Sequence, residues 1–161
     1  MNATVKRFTW NELAQLCNQL AAKLRALPED YDIIVGIARG GLFPALMLSN
    51  LLNVRDVQLI SVRTTENDSV RSTRTPPQVT ALPNNDSVAH RRCLLVDDVT
   101  NTGETLRLAV ETLQGLGAAS ITTAAIAWDT VGPNGFGHVD ACAAQVVATT
   151  AHAWIEVPWQ V

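Results

Sequence analysis

The chain has 161 residues, 47% hydrophobic and 17% charged, a length that suits one domain with its own core and a composition that excludes a disordered protein. The formal charge of -3 and the scattered arginines leave no basic surface, which speaks against nucleic acid as a partner. Cys17, Cys93 and Cys142 lack metal-ligand spacing and read as reduced thiols of a cytoplasmic protein. MNATVKRFTW has no signal-peptide stretch and no segment has the length of a bilayer span, so neither secretion nor membrane insertion is expected.

Thr9 and Glu12 have capping-box spacing, and Leu13, Leu16, Leu20 and Leu24 follow at helical intervals up to Pro28. This predicts an amphipathic helix over 10–26. YDIIVGI, residues 31–37, is an apolar run without polar alternation, as in a strand covered on both faces, and ARGG follows it. From Gly41 the pattern turns helical through Leu42, Ala45, Leu46 and Leu51, with Pro44 in the first turn, where proline is tolerated. A second strand, DVQLISV, begins at Asp56.

Residues 63–80, RTTENDSVRSTRTPPQVT, hold three arginines and almost no large apolar side chains. A polar stretch of that length inside a compact domain predicts a mobile functional loop or lid. Residues 91–128 then read strand, polar turn, helix, glycine stop, strand, a βαβ unit that implies a parallel sheet and a right-handed crossover. A glycine-rich turn, VGPNGFG, a strand over Gln145 to Ala148 and the tail WIEVPWQV complete the chain. The expected fold is α/β, a single domain over 1–161 with a mostly parallel sheet flanked by helices.

Chemistry concentrates in LLVDDVTNTGETL. A buried strand ends in Asp97 and Asp98, and small hydroxyl residues surround Gly103 where a helix begins. Helix N-termini offer unpaired N–H groups and a partial positive charge, so Asn101, Thr102, Gly103, Glu104 and Thr105 are expected to hold a phosphate. At a strand's carboxyl end, Asp97 and Asp98 suit the hydroxyls of a sugar or a Mg²⁺ ion. The plainer alternative is an acid pair that ends a strand and caps a helix.

VDDVTNTGETL resembles the phosphoribosyl pyrophosphate motif of the type I phosphoribosyltransferases. FTWNEL, the strand with ARGG, and WIEVPW together resemble the bacterial and archaeal xanthine-guanine and hypoxanthine members. The resemblance implies that fold, with a small C-terminal hood, a flexible lid and a base-recognition region over 129–161. It further implies Mg²⁺-dependent transfer of a phosphoribosyl group to a nucleobase, giving a nucleoside monophosphate and pyrophosphate, in a cytoplasmic homo-oligomer.

It implies, residue by residue, that Ala38, Arg39, Gly40 and Gly41 receive pyrophosphate around a non-proline cis peptide before Arg39. Asp97, Asp98, Val99 and Thr100 lead into the phosphate loop, Asp97 and Asp98 hold ribose hydroxyls or metal, and Arg71, or failing it Arg74, reaches pyrophosphate from the lid. Trp154 and Ile155 flank the base.

Two positions depart from that family. Asn101 stands where its purine enzymes have an aspartate that exchanges the proton on N7, a task an amide does not perform. Trp128 stands where they have a lysine that reads the oxygen at position 6. Both departures fall on the base side, leaving open whether Trp128 stacks on the base and whether Asp129 or Glu156 supplies a carboxylate. Purine transfer leads, and Asn101→Asp is expected to raise it. A nucleotide-sensing module or a transferase for another base are the alternatives, and ARGG and NTG lack the spacing of a dinucleotide fingerprint.

Overall fold

The computed structural model describes residues 4–65, 74–131 and 144–160. Arg71, Cys142 and most of the VGPNGFG turn lie outside these residues, as does the side chain of Arg74.

In chain order the elements are β1 (Val5–Arg7), α1 (Trp10–Arg25), β2 (Ile33–Ala38), α2 (Leu42–Leu52), β3 (Val57–Thr65) and β4 (Arg74–Ala81). They continue as α3 (Asn85–Val88), β5 (Arg92–Thr100), α4 (Glu104–Gly115), β6 (Ser120–Asp129), β7 (Val146–Ala151) and β8 (Trp154–Glu156), closed by a 3₁₀ turn at Pro158–Gln160. Six strands form one sheet in the order β4-β3-β2-β5-β6-β7, and β1 pairs with β8 in a separate two-stranded ribbon. All neighbours in the large sheet run parallel except β3 and β4.

The start of α1 follows from four residues of sequence. The Thr9 side chain accepts the Glu12 N–H at 3.2 Å, and the Glu12 carboxylate accepts the Thr9 N–H at 2.8 Å. These two bonds satisfy donors that a helix start otherwise leaves open. Leu13, Leu16, Leu20 and Leu24 then bury along one stripe, each fully buried leucine contributing roughly 1.5–3 kcal/mol.

Alternation along the central strands sorts the core into two layers. Ile34 of β2 and Leu94 and Val96 of β5 pack with α1 and α2 on one face. Ile33, Val35 and Ile37 of β2, with Cys93 and Leu95 of β5, pack with Leu106, Ala109 and Leu113 of α4 on the other. Asp32 ties the feet of β2 and β5 together, accepting from Arg92 Nε at 3.0 Å and Nη2 at 2.7 Å. That guanidinium holds the Asp32 carboxyl well below the ordinary carboxylate range.

Because α2 and α4 lie on opposite faces, the chain leaves β2 toward β3 on one side and leaves β5 toward β6 on the other. The carboxyl ends of β2 and β5 therefore flank the crevice at which ligands bind in open α/β sheets.

The stretch expected as a loop over 63–80 is strand at both ends. β3 runs to Thr65, and β4 begins at Arg74 and pairs antiparallel with it. Pro76 and Pro77 misled the reading, because proline is admissible in an edge strand, and β4 is the edge. The strand expected over Gln145 to Ala148 is displaced toward the C-terminus, to Val146–Ala151. Among the described residues no helix is long and apolar enough to cross a membrane.

Candidate active site

Extending the β5 alternation by two residues sends Asp97 toward the α4 face and Asp98 toward the α2 face. Asp97 lines a cavity of about 180 Å³ whose wall continues from Val99 through Thr100, Asn101, Thr102, Gly103 and Glu104 to Thr105, with Thr64 and Thr75 across from them. This cavity opens on the first turn of α4, where Gly103 is the N-cap in the left-handed region at φ 78 and no side chain caps the helix. The free N–H groups of that turn make it an anion site in waiting.

Asp98 does not share the cavity. Its Oδ1 accepts the Val99 N–H at 2.7 Å and its Oδ2 accepts the Trp159 indole N–H at 3.2 Å. It lies so close to Gly40 that a Cβ there would sit 2.0 Å from Oδ2. Gly41 is equally constrained, since its Cβ would meet the Val96 carbonyl oxygen at 2.4 Å. The turn between β2 and α2 is thus drawn tightly against β5, with a cis peptide between Ala38 and Arg39 and the Gly41 N–H donating to the Ile37 carbonyl at 2.8 Å.

Both carboxyls are buried, Asp97 at 8% exposure and Asp98 at 7%, and burial raises both from the ordinary carboxylate value. The neighbouring Asp98 charge pushes Asp97 further up. Asp97 accepts the Asp98 N–H at 2.9 Å. A cation or a pair of sugar hydroxyls arriving at the cavity would favour its ionised form.

On the β6 side the decisive residue is Asn101. Asp129 accepts the Val131 N–H at 2.8 Å, folding the end of β6 into an Asx turn. This turn presents the carbonyls of Asp129 and Val131 to Asn101, whose Nδ2 donates to both, at 2.9 and 2.5 Å. Carbonyls only accept, so the amide orientation is fixed. Trp128, paired in register with Thr100, is half-buried, and its indole Nε1 is shut off from solvent without a hydrogen-bond partner. Leaving such a donor unpaired costs about 1–3 kcal/mol.

The sequence-derived candidates therefore fall into three groups. Asp97 and the run Val99–Thr105 come together around one cavity. Gly40 meets Asp98 on the other face of β5, in the turn that also holds Arg39 and Gly41, and Gly41 packs on the Val96 and Ile37 backbone. Trp128 stands at the end of β6, while Trp154 is 42% exposed and Ile155 is buried in the core at 5%. Asp129 and Glu156, the two carboxylates considered for the base, are engaged elsewhere, Asp129 in its turn and Glu156 in a 2.6 Å ion pair with Arg7. Sequence reasoning missed Trp159 as a partner of Asp98, and Thr64 and Thr75 as cavity wall. Only the WIEVPW context pointed toward the first.

The phosphoribosyl transferase domain family matches residues 8–161. Similar curated proteins include the xanthine-guanine phosphoribosyltransferase of Idiomarina loihiensis, 32% identical over 153 residues, spanning 94% of this chain and 84% of that protein. The protein of the same name from Cereibacter sphaeroides is 31% identical over 155 residues, spanning 94% and 84%. Among solved structures, the purine phosphoribosyltransferase of Pyrococcus horikoshii Ot3 aligns with a TM-score of 0.73 at 29% identity, over 96% of this chain and 93% of that one.

Proposed function

This chain belongs to the phosphoribosyl transferase family, and from that premise we propose that it moves the 5-phosphoribosyl group of phosphoribosyl pyrophosphate onto a purine base, releasing pyrophosphate. The observation that carries the reading is the cavity joining Asp97 to the uncapped start of α4. It lies at the carboxyl end of β5, beside the crevice where the winding of the chain changes side.

In this reading the N–H groups and hydroxyls from Asn101 to Thr105 hold the 5-phosphate, and Asp97 holds the ribose hydroxyls. The backbone from Ala38 to Gly41, with the Arg39 guanidinium, takes the diphosphate. Asp98, held by Val99 and Trp159, fixes the position of Gly40. Trp154 is the platform beside the base, and Arg71 is the lid cation closing on the diphosphate.

The bond from C1′ to the diphosphate oxygen breaks as a base nitrogen bonds to C1′. The protein contributes position and electrostatics rather than a covalent nucleophile. Among the described residues no three acidic, histidine or cysteine side chains cluster as a metal cage, so a resident all-protein metal site does not fit. Asp97, on the cavity wall, would hold a Mg²⁺ ion, which typically uses one or two carboxylates together with phosphates and water. When bound it offsets charge on the leaving diphosphate.

The test is pyrophosphate release from phosphoribosyl pyrophosphate and Mg²⁺ with each common purine and pyrimidine, against a control without base. Release that depends on a purine is expected. Silence with every base, alongside measurable phosphoribosyl pyrophosphate binding, would replace the transferase reading with that of a nucleotide-binding module.

A further inference from the structure

Three aromatic rings from separate parts of the chain meet beside the turn between β2 and α2. Trp10 opens α1, Phe43 lies in the first turn of α2, and Trp159 belongs to the 3₁₀ turn at Pro158–Gln160. Ring centroids lie 4.9 Å apart for Trp10 and Phe43, 4.9 Å for Phe43 and Trp159, and 5.8 Å for Trp10 and Trp159. The first pair meets edge to face at 61° and the second stacks at 29°, arrangements that the charge distribution of aromatic rings favours.

Both partners of Trp10 lead to Gly40. Phe43 begins α2 directly after the turn that holds Gly40 and Gly41. Trp159 donates its indole N–H to Asp98 Oδ2 at 3.2 Å, and that oxygen is the atom a Cβ on Gly40 would meet first. The cluster thus borders the turn at its α2 end and, through Asp98, along β5. Trp10 itself is 53% exposed and joins neither core layer, so burial alone does not account for its place.

We propose that Trp10 is a positioning residue for diphosphate binding. It braces the rings of Phe43 and Trp159, and through the Trp159 bond to Asp98 it holds the Gly40 turn in the form that receives the diphosphate. The inference rests on the transferase reading above and adds to it a residue that touches no substrate. The indole bond depends on how the Trp159 ring is turned, because a hydrogen bond weakens steeply as its angle closes. Without Trp10 the ring is free to tilt, and Asp98 loses the donor that fixes it against Gly40.

Calorimetry on the intact chain with Mg²⁺ tests this with two ligands. Phosphoribosyl pyrophosphate carries the diphosphate, whereas inosine monophosphate carries the phosphosugar without it. Trp10→Ala is expected to weaken phosphoribosyl pyrophosphate about fivefold, the scale of one hydrogen bond, while inosine monophosphate stays within about twofold of wild type. Trp10→Phe, which restores a ring, should return phosphoribosyl pyrophosphate to within about twofold. In a Trp159→Phe background no indole reaches Asp98, so adding Trp10→Ala should change the affinity by less than about twofold. Phe43→Leu, which keeps apolar bulk in α2, should repeat the selective loss and its disappearance in that background, and it carries the test if Trp10→Ala does not fold.

Equal weakening of both ligands, unchanged affinity for phosphoribosyl pyrophosphate, no recovery in Trp10→Phe, or a full further loss in the Trp159→Phe background would overturn the proposal and leave the transferase reading standing. Wild-type protein that binds neither ligand would remove the transferase reading, and the inference with it.

Discussion

The two sides of the site are built by different means. The side proposed for the phosphosugar is nearly all main chain and small residues from one continuous stretch, β5 into α4, and these residues converge on one cavity. The side proposed for the base would draw on side chains at residues 101 and 154 and on a turn that Asn101 reaches across 28 to 30 residues. Backbone geometry offers few ways to hold a phosphate, so that side keeps a recognisable pattern. Side chains can perform one task in many combinations, so a surface built from them carries no comparable pattern.

Substitutions at the junctions break this contrast most sharply. Gly40→Ala would push a methyl group to 2.0 Å from Asp98 Oδ2. Asp98 is pinned by Val99 and Trp159, so the loop must move. A displacement of that size costs roughly 100-fold in activity, expected as a fall in kcat/KM for phosphoribosyl pyrophosphate with the fold retained in circular dichroism.

Asp97→Asn should cost a similar factor, roughly 100-fold in turnover, yet raise Tm. Burial lifts the folded-state pKa of Asp97 above its ordinary value. Its favourable contribution is therefore present at acid pH and is lost as pH rises through that lifted value. Above that value the buried charge counts against the fold, and asparagine has no charge to bury. A lowered Tm at pH 7 would contradict this electrostatic account of the cavity.

Asn101→Asp, expected from the resemblance to raise purine transfer, should also cost stability. An ionised carboxylate would face the carbonyl oxygens of Asp129 and Val131 in place of an NH₂ group. The expected outcome is a loss of about 1–3 kcal/mol in stability at neutral pH, partly relieved in acid, where a protonated carboxyl donates to one carbonyl. Urea titrations at pH 5 and pH 8 measure it, and unchanged stability at pH 8 would show that the turn does not need a donor.

The smallest effect is expected at Trp159→Phe. It removes the 3.2 Å bond to Asp98 and keeps the ring contact with Phe43, whose centroid lies 4.9 Å away. The loss should be about 0.5–1.5 kcal/mol and surface as a higher KM for phosphoribosyl pyrophosphate with kcat nearly unchanged. A fall in kcat alone would place Trp159 in the chemistry instead.

What the sequence disclosed follows the same division. The Thr9 and Glu12 cap and the leucine stripe of α1 are local, so they were legible, as was the turn from β5 into α4. β1 was not, since it is three exposed residues paired with β8 at the far end of the chain. β4 was hidden by its prolines and polar content. The separation of Asp97 from Asp98 was implicit in strand alternation, but the bond that gives Asp98 its direction comes from a tryptophan 61 residues away. The amide at Asn101 looked like a lost acid until the turn it supports was seen.

The most direct test of the central claim is mass-spectrometric detection of nucleotide after incubation with phosphoribosyl pyrophosphate, Mg²⁺ and hypoxanthine, in wild-type protein and Asp97→Asn. Inosine monophosphate and pyrophosphate should form in equal amounts in the wild type and fall by roughly 100-fold in the variant. Pyrophosphate released at the same rate without base, or nucleotide formed equally well by Asp97→Asn, would contradict the account.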